Sequence, residues 1–301
     1  MHAELRAALD ALEPELGPLP DGPEPLEGGI TNRNFRVGDL VVRLPGKDTG
    51  LLGIDRLAEC EATRAAAAAG VGPEVVAFLA DPPCLVTRFI PGRTLAAEQL
   101  REPELIAEVA AALRAVHAGA PLPARFDAFA VVAAYRETAA ARGAPIPDSY
   151  AELAAGARAI AHALHGPEHV PVPCHNDLLP ANFLHDGARV RIVDWEYAGM
   201  GDRYFDLGNL SVNNGFADGD DERLLAVYFG APCSPRRFAA LRLMRIMSDF
   251  REGMWGVVQT AISALDFDFA AYAEEHLARV AAGLSDPRFA TWLEHARGDR
   301  R

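Results

Sequence analysis

The chain has 301 residues, half of them hydrophobic and 24% charged, with a net charge of −13 and four cysteines. That length can bury a large core, and the acid excess argues against nucleic acid or an anionic membrane as partner, since both need a basic face. The cysteines form no Cys-x-x-Cys pair that would mark a zinc site or a disulfide framework, so a cytoplasmic location is expected.

In chain order, residues 1–16 have amphipathic helical spacing and acidic residues where a signal peptide would be basic and then apolar. No later run reaches the length of a membrane span, so no membrane insertion is expected. A Pro/Gly/acidic connector, Pro18 to Pro25, leads into 27–47, where apolar and polar residues alternate on both sides of Gly38-Asp39, a pair suited to a hairpin turn. Residues 51–69 read as a helix closed by Gly70. Strand-like runs follow at 74–80 and 84–90 before Pro91-Gly92 breaks the chain. Beyond that break the spacing predicts helices at 103–118, 128–142, 149–165, 221–229, 235–260 and 267–283, interrupted by short strands around 182–194. The expected fold class is α+β, with a small β-rich N-terminal lobe at 1–90 and a larger α-helical C-terminal lobe at 91–301.

The stretch 171-PVPCHNDLLPANFLHDGARVRIVDWEYAG-199 concentrates polar groups in an apolar setting as His175-x-Asp177-x4-Asn182, with Asp194 twelve residues on. Phosphoryl transfer from ATP needs a carboxylate to orient an attacking hydroxyl and accept its proton, and oxygen ligands to hold Mg²⁺ against the phosphates. Asp177 suits the first task. Asn182, from the same loop, and Asp194, at the end of an adjoining strand, suit the second. His175 is assigned the bracing of the loop. Leu178, Leu179, Phe183, Ile192 and Val193 would keep these groups in a dry, fixed frame.

At these residues the sequence resembles the choline/ethanolamine kinase family, within the protein-kinase-like phosphotransferases that include the aminoglycoside phosphotransferases. CHNDLLPANFL is similar to the catalytic loop of that family, IVDWEYAG to its metal-binding segment, and the likeness continues through 201-GDRYFDLGNL-210. The resemblance implies a bilobal protein-kinase-like fold, ATP and Mg²⁺ as cofactors, and a small cationic alcohol as acceptor, choline first and ethanolamine next. It makes Asp177, Asn182 and Asp194 the catalytic set, the last two as metal ligands, and Asp206 a brace behind the loop. The segment 27-EGGITNRNF-35 resembles the loop that covers the nucleotide, which would bring Thr31 and Asn32 to the phosphates. Arg43 in 41-VVRLPG-46 stands where the family places its phosphate-binding arginine, paired with a helix glutamate. Glu59 lines up best for that pairing and Glu61 is the alternative, because one helix cannot present both to one target. Backbone groups of Arg88, Phe89 and Ile90 fall at the adenine-binding hinge.

Residues 254–276 resemble the C-terminal helices that hold the quaternary ammonium between aromatic faces and acids, with Trp255 the main candidate. An aromatic on a helix also serves as core. Glu196, after Asp-Trp, joins the expected acceptor site. Two positions depart from the family pattern: Asn213 replaces an acidic residue and Glu252 a second tryptophan. Glu252 and Asp249 could then take a protonated amine by charge-assisted hydrogen bonds. The alternatives left open are a kinase of thiamine, an aminoglycoside or a sugar-like alcohol, and a non-catalytic nucleotide-binding protein of the same fold. ATP against GTP, and the oligomeric state, homodimer included, stay undecided.

Overall fold

The computed structural model describes residues 3–19, 22–26, 32–81, 83–166 and 169–297. It begins with helix α1 (Ala3–Leu16), followed by strands β1 (Glu24–Leu26), β2 (Asn32–Val37) and β3 (Leu40–Pro45), helix α2 (Arg56–Ala68), and strands β4 (Val75–Ala80) and β5 (Pro83–Arg88). The five strands form one antiparallel sheet in the order β1-β2-β3-β5-β4. Gly38, at φ 63°, closes the β2–β3 hairpin in register Val37↔Leu40. Leu5, Ala8 and Leu12 of α1 bury themselves on the sheet against Phe35, Val42 and Val86, which gives this part a core of its own.

The expected helix over 51–69 starts later than its composition implied. A 3₁₀ turn at Thr49–Leu52 ends at Gly53, and Asp55 then caps α2 by accepting from the backbone N–H groups of Leu57 and Ala58. Gly70 follows α2 at φ 73°, as the sequence led one to expect.

The remaining chain is mostly helical: α3 (Pro103–His117), α4 (Ala128–Ala141), α5 (Tyr150–Leu164), α6 (Arg203–Asn213), α7 (Asp218–Phe229), α8 (Pro235–Ile262), α9 (Phe269–Leu284) and α10 (Phe289–Arg297). Short strands interrupt it, here labelled β6 (Arg93–Thr94), β7 (Val172–Cys174), β8 (Phe183–His185), β9 (Val190–Ile192) and β10 (Gly199–Gly201). They pair as β6-β8-β9 and as β10-β7. The α+β class and the bilobal kinase-like arrangement agree with the sequence expectation.

Two helices, α6 and α10, have no counterpart in that expectation. The buried face of α6 carries Asp206, Asn209 and Ser211 beside its leucines, which breaks the apolar period a helix is recognised by. α8 runs through the middle of the helical part, packed on α4, α6, α9 and α10. Gly208 is what lets α6 approach it, since a Cβ there would stand 2.8 Å from the backbone nitrogen of Arg245. Among the described residues no helix is long and apolar enough to cross a membrane.

Candidate active site

The catalytic-loop residues 175–182 join β7 to β8, and backbone hydrogen bonds to buried side chains hold their shape. Asp206 of α6, fully buried, accepts from the N–H of His175 at 2.8 Å and of Asn176 at 2.7 Å. The Asn209 amide oxygen accepts from the N–H of Leu178, and the Asn214 amide donates to the Leu178 carbonyl at 3.2 Å. The polar face that hid α6 from the periodicity is therefore the support of this loop.

His175 ties the loop to the strand end that carries Asp194. Its Nδ1 accepts from the Asp177 N–H at 3.1 Å, which makes Nε2 the protonated nitrogen and the donor to the Val193 carbonyl at 3.0 Å. Burial lowers the imidazole below its ordinary range, so the ring is neutral, as this tautomer requires. Asn182 donates through Nδ2 to the Asp177 carbonyl at 2.8 Å. Asp177, Asn182 and Asp194 are thus brought into one frame. Asn176 and Asp194 both sit at φ 69°, a left-handed conformation that non-glycine residues adopt at a cost.

Burial pushes the Asp177 carboxyl up to about 8; Arg251 pulls it down, while Glu252, Asp194 and Glu196 add to the rise. The Arg251 Nη1 donates to Asp177 at 3.4 Å.

Between the sheet and the catalytic loop lies a cleft of about 620 Å³, and its lining includes Arg43, Glu59, Arg88, Phe89, Ile90, Asn182 and Asp194, all named from sequence. Apolar walls come from Val41, Leu85, Leu184 and Val193. Arg43 on β3 donates through one nitrogen to Glu59 at 2.8 Å and to Asp194 at 2.6 Å, and its Nε donates to Asn34 at 3.2 Å. Burial alone would lower this guanidinium, but Asp194 and Glu59 outweigh it and hold the charge. Of the two candidate glutamates, Glu59 is the one paired with Arg43; Glu61 lies on the exposed side of α2 with Arg64.

Not every expected residue lands where the sequence reading put it. Asn32 turns away from the cleft and donates to Glu196 at 2.8 Å, and Asn34, two residues on, lines the cleft instead. Glu196 is buried and also accepts from Arg56 at 3.1 Å, and these bonds tie it to α2 and the sheet. Thr31 lies outside the described residues. The N–H groups of Arg88 and Phe89 are bonded to the carbonyls of Glu74 and Asp39, which leaves less of the 88–90 backbone to a base than expected.

The expected acceptor side is more closed and more internally paired than the sequence implied. Trp255 is 6% exposed, donates to the Tyr197 hydroxyl at 3.1 Å and packs edge-on to Phe269 and Tyr272. Glu252 bonds Arg251 and accepts from the Tyr272 hydroxyl at 3.0 Å. Asp249 is bonded through one oxygen to His276 at 2.9 Å and Arg279 at 2.8 Å. Asn213 ends α6, next to the asparagine that bonds Leu178.

Arg56, Tyr197, Asn209 and Arg251 were missed. Arg56 had a signal, since three residues before Glu59 on one helix is ion-pair spacing, and the two are 2.7 Å apart. Tyr197 and Asn209 meet their partners only across the fold, and Arg251 reaches Asp177 and Tyr197 the same way.

The comparisons with known proteins agree with this geometry. Residues 23–244 match the phosphotransferase enzyme family (APH). A solved choline/ethanolamine kinase family protein from Mesorhizobium loti is 37% identical and superposes with a TM-score of 0.82 over 98% of both chains. The choline kinase LicA from Streptococcus pneumoniae, 21% identical, shares the fold with a TM-score of 0.76 over 94% of this chain and 99% of its own. In sequence, ethanolamine kinase 2 of Mus musculus is 27% identical over 263 residues, covering 78% of this chain and 67% of its own. With a family match over most of its length and a relative that alike from end to end, the chain belongs to the phosphotransferase enzyme family, in its choline/ethanolamine kinase branch.

Proposed function

We infer that the protein transfers the γ-phosphoryl group of ATP to the hydroxyl of a small amino alcohol of the choline/ethanolamine class. The observation that carries this is the joining of Asp177, Asn182 and Asp194 through His175 and the Asp177 carbonyl, at one end of a cleft that also holds Arg43 and Glu59. Relatives named as ethanolamine and choline kinases support the acceptor class.

In this reading the apolar walls Val41, Leu85 and Leu184 enclose the adenine. Because the N–H groups of Arg88 and Phe89 are bonded within the protein, the hinge N–H contact falls to Ile90, with backbone carbonyls of the segment open to the base's amino group. Arg43, oriented by its bond to Glu59, places the phosphates. The donor set fits Mg²⁺: Asn182 gives its N–H to the Asp177 carbonyl and so can offer Oδ1, and Asp194 offers a carboxylate. When bound, the ion would neutralise charge on the phosphate oxygens. Asp177 aligns the acceptor hydroxyl and takes its proton as the hydroxyl oxygen attacks the γ-phosphorus, whose bond to the bridging oxygen breaks to release ADP. His175 and Asp206 keep the loop rigid while this happens.

The test is ADP release from Mg-ATP with ethanolamine, choline, thiamine or no added alcohol. Stimulation by ethanolamine or choline, with a phosphorylated alcohol recovered, is the expected result. Stimulation by thiamine alone would move the acceptor class. Release equal in all four reactions would remove the kinase reading.

A further inference from the structure

Arg251 has no part in the mechanism above. It sits in the middle of α8, 1% exposed, with its guanidinium carbon 4.2 Å over the ring centre of Tyr197. One nitrogen faces both Asp177 and Glu252, and the other two, Nε and Nη2, are buried without a hydrogen-bond acceptor. Unbonded N–H groups in an interior are costly, so what holds this cation is the stack on Tyr197 together with the two carboxylates. We propose that Arg251 is a built-in cation that occupies the aromatic and acidic subsite nearest Asp177 and thereby makes the enzyme prefer a primary ammonium alcohol to a quaternary one.

The inference rests on the kinase reading. The reacting hydroxyl must lie against Asp177, and in a two-carbon amino alcohol the nitrogen follows at roughly 3–4 Å, given ordinary bond lengths. Toward α8, where Arg251 links Asp177 to Glu252 and Tyr197, that reach brings the ammonium beside Tyr197 and Glu252. A quaternary ammonium has no N–H and is stabilised only by aromatic faces and unneutralised negative charge. Here the Tyr197 face is covered, Glu252 is neutralised by Arg251, and Asp249 is engaged by His276 and Arg279. Its charge meets the Arg251 guanidinium without a free Tyr197 face or a free Glu252 beside it.

A primary ammonium brings three N–H donors. It can bond the second carboxylate oxygen of Glu252, to which Tyr272 donates at 3.0 Å and which has a further lone pair. Each N-methyl group removes one donor and adds bulk beside the guanidinium.

The test uses the wild-type enzyme with Mg-ATP and four acceptors: ethanolamine, its N-methyl and N,N-dimethyl derivatives, and choline. The expected kcat/KM falls with each methyl, by at least about tenfold from first to last. Arg251→Met should flatten the series, largely through a lower KM for choline, and Arg251→Lys, which keeps the charge, should preserve it. Ratios between acceptors cancel any loss that a variant imposes on all four. If Arg251→Met does not fold, the wild-type series decides alone. Equal or better turnover of choline by the wild type overturns the assignment, as does an unchanged ratio in Arg251→Met. Phosphorylation of none of the four overturns the kinase reading and this inference with it.

Discussion

Burial and four neighbouring charges set the working range of Asp177. Its carboxyl is pushed up to about 8, and only the ionised form accepts a proton, so kcat/KM should climb about tenfold per pH unit below that value and level off above it. A profile whose acid limb lies near the ordinary carboxylate value of about 4 would contradict this environment. Asp177→Asn keeps the shape and removes the base: kcat is expected to drop about 10²–10⁴-fold, with the KM for ATP little changed, in steady-state assays at saturating Mg-ATP. Such residues were legible in the sequence because His175, Asp177 and Asn182 share one short loop. Arg251 was not, because its partners Asp177 and Tyr197 are 74 and 54 positions away and nothing local marks the pairing.

At the level of elements, α6 does the work of holding the loop, although it has no ligand-facing role in the mechanism. Its Asp206 takes two backbone N–H groups and the His117 ring at 3.0 Å. Asp206→Asn turns an amide N–H toward one of those donors, and urea unfolding should show a loss of about 2–3 kcal/mol, with kcat falling in parallel. Gly208→Ala tests the packing behind it. The added methyl would push α6 off α8 and should cost about 1–3 kcal/mol in the same assay, leaving the pH profile in place. The hairpin, α2 and the long helices followed from local spacing. α6 did not, because the polar residues that make it useful are the ones that mask its periodicity; for the start of α2, Gly53 and Asp55 outweighed a run of good helix formers.

For the whole molecule, a nucleotide that binds in the cleft should tie the sheet to the helical part. Mg-ATP at a hundred times its Kd adds about 2.7 kcal/mol, which in a chain of this size raises Tm by about 4 °C. Arg43→Ala should abolish most of that rise in a thermal melt, and an undiminished shift would place the nucleotide elsewhere. The net charge of −13 also draws in a cationic acceptor, so its KM should grow with ionic strength. The apolar side chains are divided unevenly across the molecule. The sheet and α1 seal a core among themselves, while Ala62 and Ala66 of α2 pack with Ile192 and Trp195 on the other side. Ionic and amide contacts also cross between the two: Arg43 to Asp194, and Asn32 to Glu196. In mechanical terms the Arg43–Asp194 contact is a removable pin beside a packed hinge: the phosphates of a nucleotide in the cleft would compete for the same guanidinium that fastens the sheet there.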